Sequence, residues 1–278
     1  MGKMDKNVAL VKILEAVQIY EKELNNKNYL ILAKNQNNVI SYSLVFSETN
    51  FLHFTGVKSS LSASDFYKIA TTRKLRTDDF VIENDFLVKK KLNVLTDAVR
   101  LPKTAKMIGE FRSAGIKIKA DIGSGNPNYV MAFRKDSHNK NIYVPVSVME
   151  DDVRMVTSPT SPIVAILRKN KREKQYNELT YKSKNINFDK LHIPKELKNI
   201  ISENILNQLV PQKNLEEIGQ LTKETFIKDI VAHEGKNQEK KIRKKKCLSE
   251  RMAEGKLKAA EHNKTISQHK VKEYEQER

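Results

Sequence analysis

Between residues 105 and 182 the chain carries six short runs rich in β-branched, aromatic and aliphatic residues, at 106–111, 116–119, 129–133, 142–146, 163–167 and 178–181. Each is long enough for a strand, and the segments between them hold Gly, Pro, Asn and Asp, as turns do. None of those spacers has room for a helical crossover, so parallel pairing is disfavoured and an antiparallel sheet is expected. This stretch rules out an all-helical fold and a doubly wound α/β fold.

The first hundred residues alternate between two periodicities. Val8, Val11, Leu14 and Val17 recur at steps of three, which predicts an amphipathic helix over about 5–25. Runs at 29–33 and 39–46 flank Asn35-Gln36-Asn37-Asn38, the signature of a β-hairpin. Phe51-Leu52-His53-Phe54-Thr55-Gly56-Val57 reads as a further strand stopped by glycine, after which Ser62 or Ser64 caps a short helix carrying Phe66, Tyr67 and Ile69. Over 80–103, Leu87, Leu92, Leu95, Val99 and Leu101 fit a strand followed by a short helix that Pro102 ends. Helical spacing returns after Pro194 with Leu197, Ile200, Ile201, Ile205 and Leu209, and again with Phe226, Ile227, Ile230 and Val231. The expected class is therefore α+β. An N-terminal helix and short helices pack on an antiparallel sheet, and a basic α-helical extension follows at the C-terminus. The expected boundaries are 1–193 for the main domain, 194–234 for a helical segment and 235–278 for a basic helical or disordered tail.

Charge narrows the partners. The chain has 51 Lys+Arg against 34 Asp+Glu, a formal net charge of +17. An excess of this size predicts a polyanionic partner, nucleic acid foremost. Residues 235–278 are the most basic per residue, and Lys240, Lys241, Arg243, Lys244, Lys245 and Lys246 form their densest cluster. That cluster reads as an arm that meets a phosphate backbone or as a solubilising tail. No apolar run approaches the roughly 18 residues of a membrane span, and the first residues lack a signal-peptide core, so no membrane partner is expected and the setting is the cytoplasm of the host. The one cysteine, Cys247, excludes an internal disulfide.

Several motifs invite a function and fail on context. Asp121-Ile122-Gly123-Ser124-Gly125 resembles a nucleotide-binding turn, but such a loop must open a helix, and here Asn126-Pro127-Asn128 leads into another β-type run. The segment reads instead as a hairpin connection. Asp78-Asp79 and Glu150-Asp151-Asp152 could be recruited for metal chemistry, yet the second cluster reads more simply as a helix N-terminus. His138, His192, His233, His262 and His269 show no convincing ligand spacing. No cofactor and no metal are expected.

His53 stands apart. Strand alternation would set His53 and Thr55 on one face and Leu52 and Phe54 on the other, beside a glycine, which suits the floor of a site and equally suits a structural histidine.

These segments, taken in order, resemble a known family. Asn28-Tyr29-Leu30-Ile31-Leu32-Ala33-Lys34, Asn50-Phe51-Leu52-His53-Phe54-Thr55-Gly56-Val57, Ser64-Asp65-Phe66-Tyr67, Ala105-Lys106-Met107-Ile108-Gly109-Glu110-Phe111, Gly115-Ile116-Lys117, Tyr143-Val144-Pro145 with Glu150-Asp151-Asp152-Val153-Arg154, Ile163-Val164-Ala165-Ile166-Leu167 and Tyr176-Asn177-Glu178-Leu179-Thr180-Tyr181 are similar to the phage-associated nucleases of the barnase, EndoU, colicin and RelE-like superfamily, fourth phage-borne subfamily. The likeness spans roughly residues 10–190. It implies a small α+β fold and metal-independent RNA cleavage by a protein encoded on a phage or other mobile element. Attack of the 2′-OH on the adjacent phosphate would give a 2′,3′-cyclic phosphate, which needs a base, an acid and cations for the phosphorane. An imidazole titrates in the right range, so His53 is the expected acid or base. Thr55 would orient it, Lys106, Arg134 and Arg154 would supply positive charge, and Tyr143 would donate a proton or stack on a base. Each of these cations could equally be a solvated surface charge. RNA, tRNA or a ribosome is the expected partner, with an unidentified inhibitor, phage protein or host protein as a further candidate. A non-catalytic nucleic-acid-binding accessory protein of a mobile element and a toxin-like effector with a narrow RNA target are the alternatives.

Overall fold

The computed structural model describes residues 4–112 and 118–210. The described residues belong to one compact unit, and the expected helix at 226–231 and the basic extension lie outside the described residues. So do residues 113–117, and with them part of the strand expected at 116–119, whose described remainder, 118–119, lies in no strand.

Helix α1 (Lys6–Glu23) opens on Asp5, whose carboxylate accepts from the Asn7 N–H at 2.7 Å. Its buried face is not the expected stripe: Ala9, Ile13, Ala16, Val17 and Tyr20 recur at helical spacing and are all buried, whereas Val8 and Val11 are exposed, because the small Ala9 and Ala16 let the helix lie close on the core. Strands β1 (Lys27–Asn35) and β2 (Asn38–Val45) form the expected hairpin. A 3-10 turn, α2 (Phe51–Thr55), α3 (Ala63–Thr71, capped by Ser62), α4 (Asp85–Ala98) and α5 (Leu101–Thr104) follow. The sheet is completed by β3 (Met107–Phe111), β4 (Ile122–Gly125), β5 (Val130–Lys135) and β6 (Ile142–Met149), then, after the one-turn α6 (Val153–Val156), by β7 (Thr157–Asn170) and β8 (Glu178–Lys182). Helices α7 (Lys195–Ile200) and α8 (Glu203–Leu209) end the described chain.

The sheet order is β1-β2-β6-β5-β4-β3-β7-β8, and an added β1–β7 pairing closes seven of the strands into a barrel-like ring. Fourteen-residue β7 makes this closure. Its first half pairs with β3 and its second half with β1, while β8 pairs along Ala165–Arg168. Alternation along β1 sorts two cores. Tyr29, Ile31 and Ala33 join α1, α3 and α4 in the main core, while Leu30 and Leu32 meet Leu197, Ile201, Ile205 and Leu209 of α7 and α8.

The α+β class holds, with four corrections to the elements. Residues 51–55 are helical: Phe51 and Phe54, one turn apart, are both fully buried, and Gly56 ends the turn at φ 76°. Residues 85–98 form one helix capped by the Asn84 side chain, and Pro102 lies in the first turn of α5, where its missing N–H costs nothing. The Gly123-Ser124-Gly125 segment is strand β4 itself and no hairpin connection. A Cβ on Gly125 would fall 2.0 Å from the Tyr129 carbonyl oxygen, so only glycine lets the two strands meet there. Finally, the sheet is not wholly antiparallel, because β2 and β6 run parallel through Ser43↔Ile142 and Leu44↔Tyr143.

Candidate active site

Helix α2 packs against α3, α4 and β6, with its two phenylalanines buried and His53 on the exposed side. Lys91 of α4 fixes its C-terminal end. The ammonium donates to the His53 carbonyl oxygen at 2.8 Å, and the aliphatic stem passes so close under Gly56 that a Cβ there would meet Lys91 Cδ at 2.8 Å. Lys91 is only 9% exposed, and burial lowers its pKa from 10.5 to about 8. A lysine in this position does two things: it satisfies one of the orphan carbonyls at a helix end, and it sets a positive charge behind the histidine.

The imidazole of His53 responds to that setting. Partial desolvation of its ring, then the charge of Lys91, then that of Arg134 hold it below the ordinary histidine value. At neutral pH it is therefore a neutral base able to accept a proton. Arg134, exposed on β5, makes no hydrogen bond or ion pair through its guanidinium among the described residues, which leaves its donors available to a phosphate.

Thr55 does not share a face with His53. It is fully buried, its hydroxyl donates to the Leu52 carbonyl at 2.8 Å and accepts from the Val57 N–H at 3.3 Å, and its work is to close the short helix. The strand reading that joined the two residues fails with the strand itself.

Tyr143, on β6, is half-buried and pairs with Tyr42 of β2, ring centroids 5.9 Å apart and planes at 60°. Burial and the charges of Asp121 and Glu110 raise its pKa, so the phenol stays protonated. Lys106 lies elsewhere, its ammonium 4.1 Å from the ring centroid of Tyr181 on β8. Arg154 is held by its own neighbour: Asp152 caps α6, accepting from the Arg154 backbone N–H at 2.9 Å and from its guanidinium at 2.5 and 3.0 Å. That short helix packs through Val153 and Val156 on Val130, Met107 and Phe111, the face of the sheet opposite Ile108 and Met131 of the main core. The structure thus brings His53 together with Arg134 and adds Lys91. Lys106 and Arg154 are not among the charges that act on His53. Lys240, Lys241, Arg243, Lys244, Lys245 and Lys246 lie outside the described residues.

Lys91 had a signal in the sequence that composition hid. It follows Lys89 and Lys90 in a charged run, yet it occupies the helical stripe of Val88, Leu92 and Leu95, where a lysine must find a buried partner. Among the described residues no group of three or more His, Cys, Asp or Glu could hold a metal ion.

A family model described as phage-Barnase-EndoU-ColicinE5/D-RelE like nuclease4 matches residues 12–185, well over half of the chain, from within α1 through β8. No curated protein and no solved structure matches it.

Proposed function

Because the chain belongs to the phage-Barnase-EndoU-ColicinE5/D-RelE like nuclease4 family, we propose that it is a metal-independent endoribonuclease in which His53 is the general base. The observation that carries this reading is the neutral imidazole of His53, exposed to solvent and flanked by two cations. His53 takes the proton of a ribose 2′-OH as that oxygen attacks the adjacent phosphorus. The P–O bond to the 5′-oxygen breaks, and that oxygen takes a proton from solvent. A 2′,3′-cyclic phosphate and a 5′-hydroxyl result. Arg134 offers charge-assisted hydrogen bonds to the equatorial oxygens of the phosphorane, and partial burial, helped by the charges of Lys91 and Arg134, keeps the imidazole unprotonated. Members of a family named for phages fit a toxin or effector made from a mobile element, and the basic segment after residue 235 would recruit RNA, tRNA or a ribosome.

The test is incubation of the purified chain with RNA in EDTA. Fragments ending in 2′,3′-cyclic phosphate are expected, and they should vanish in His53→Ala. Intact RNA, or cleavage unchanged by that substitution, would refute the reading. One observation favours a second reading, a non-catalytic RNA-binding accessory protein: two of the cations that the chemistry would recruit, Lys106 and Arg154, are engaged by Tyr181 and Asp152. Salt-dependent binding without products would identify that protein.

A further inference from the structure

The register of the sheet sets a row of polar side chains on the same side as the main core. Glu110 stands opposite Ile122, and Ile122 opposite Phe133. Lys135, two residues beyond Phe133, stands opposite Tyr143, which neighbours Leu44 in the parallel pair. Paired residues share a face, as do residues two apart on one strand, so Glu110, Lys135, Tyr143 and Tyr42 all point the way of Ile108, Phe133 and Leu44. Those three belong to the buried core. Glu110 and Lys135 are exposed, and the two tyrosines are half-buried against the core's margin. Here the core-facing side of the sheet leaves the cover of the helices and meets water.

Three properties of this row go together. Two phenol rings at 5.9 Å give a tilted aromatic surface anchored from below by packing. Burial, with the Glu110 carboxylate beside both phenols and the Asp121 carboxylate beside that of Tyr143, keeps the two phenols protonated. The Asp121 carboxylate accepts from the Lys135 backbone N–H at 2.6 Å, whereas the Glu110 carboxylate makes no hydrogen bond or ion pair among the described residues. A flat, partly apolar ligand that carries N–H donors at its edge satisfies all three. Helix α2, which carries His53, packs against β6, the strand that carries Tyr143, so the row and the proposed catalytic group meet on the same strand.

We infer that Tyr42, Tyr143 and Glu110 form a subsite for one unpaired RNA base bearing an exocyclic amino group, stacked on the tyrosines and donating to the Glu110 carboxylate. Adenine, cytosine and guanine carry such a group, and uracil does not. The inference rests on the reading of the chain as acting on RNA, and it sets a preference at one nucleotide where phosphate contacts set none.

Fluorescence anisotropy with labelled 2′-O-methyl hexamers of A, C and U tests it, because these strands lack the attacking hydroxyl and cannot be cut. The full chain is used, in salt high enough to suppress binding through phosphates alone. The A and C strands should bind about tenfold more tightly than U, as one well-made edge contact allows. Glu110→Ala, a change at an exposed position that removes the acceptor, should erase that preference, and Tyr143→Leu should weaken all three strands by about tenfold through lost stacking. Equal binding of A, C and U, or a preference that survives Glu110→Ala, would overturn the subsite. A protein that shows the preference but cuts no RNA would keep the subsite and lose the nuclease reading.

Discussion

Replacing Lys91 by methionine keeps all but the last atom of the side chain's length and removes its charge, and the consequence can be worked from the fold. In the unfolded chain this lysine titrates near 10.5, and in the folded protein at about 8. Between those values the folded protein binds fewer protons at Lys91 than the unfolded chain does, so stability rises with pH across that window and is flat below it. At about 1.4 kcal/mol for each tenfold change, the burden carried by the charged form at neutral pH is about 3 kcal/mol. Methionine relieves that burden and strips the His53 carbonyl of its donor, which costs about 1 kcal/mol. Lys91→Met should therefore be more stable than the wild type by roughly 2 kcal/mol at neutral pH. The advantage should shrink and then reverse as pH rises through the window. Urea unfolding of both proteins from about pH 7 to about pH 10 measures it, with other lysines cancelling in the difference. A stability difference that does not change with pH would refute the assignment. The same substitution removes one of the two charges that, after burial, depress His53, so the acid limb expected for cleavage should move upward toward the ordinary histidine range.

Arg134→Ala should lower cleavage by about a hundredfold, the usual loss for one donor to a developing phosphorane, whereas Arg154→Ala should leave kcat/KM near the wild-type value because Asp152 already holds that guanidinium. Glu23 lies buried between Lys103 at 2.7 Å and Arg168 at 3.5 Å, and Glu23→Ala should cost about 3 kcal/mol in urea unfolding because Arg168 is left partly uncompensated. Gly56→Ala forces a Cβ into a left-handed residue and against the Lys91 stem, and it should destabilise the fold by about 1–2 kcal/mol while lowering cleavage, as thermal unfolding and an RNA gel would report.

Most strands after residue 105 were legible because apolar runs and turn residues agree along them; α1 was legible as a helix but not in its buried face, since Val8 and Val11 are exposed and Ala9, Ile13, Ala16 and Tyr20 face the core instead. Phe51-Leu52-His53-Phe54-Thr55 was not, since five residues fit either period. The decision lies outside them, in the Ser47–Asn50 turn that starts the helix and the left-handed Gly56 that stops it. Strand β4 was hidden because glycine has little β-propensity, and what holds it there is the close approach of Tyr129. The parallel contact of β2 with β6 involves two residue pairs brought together by ring closure, which no local pattern encodes. At the site, His53 was visible as the polar member of an apolar run, although for a face it does not share with Thr55. Lys106 and Arg154 looked available by charge alone, yet each finds a partner close at hand, Tyr181 for the first and Asp152 two residues away for the second.

The closing seam has a consequence for synthesis. Asn28 pairs with Lys169, so the ring joins a hairpin made early to a strand made some 140 residues later. Until β7 has left the ribosome, β1 has a bare edge, and Leu30 and Leu32 have neither Val164 nor the final helices to cover them. A nascent chain therefore carries His53 well before the scaffold behind it can set. By this order of assembly the candidate site around His53 stays incomplete while the message encoding it is still being read.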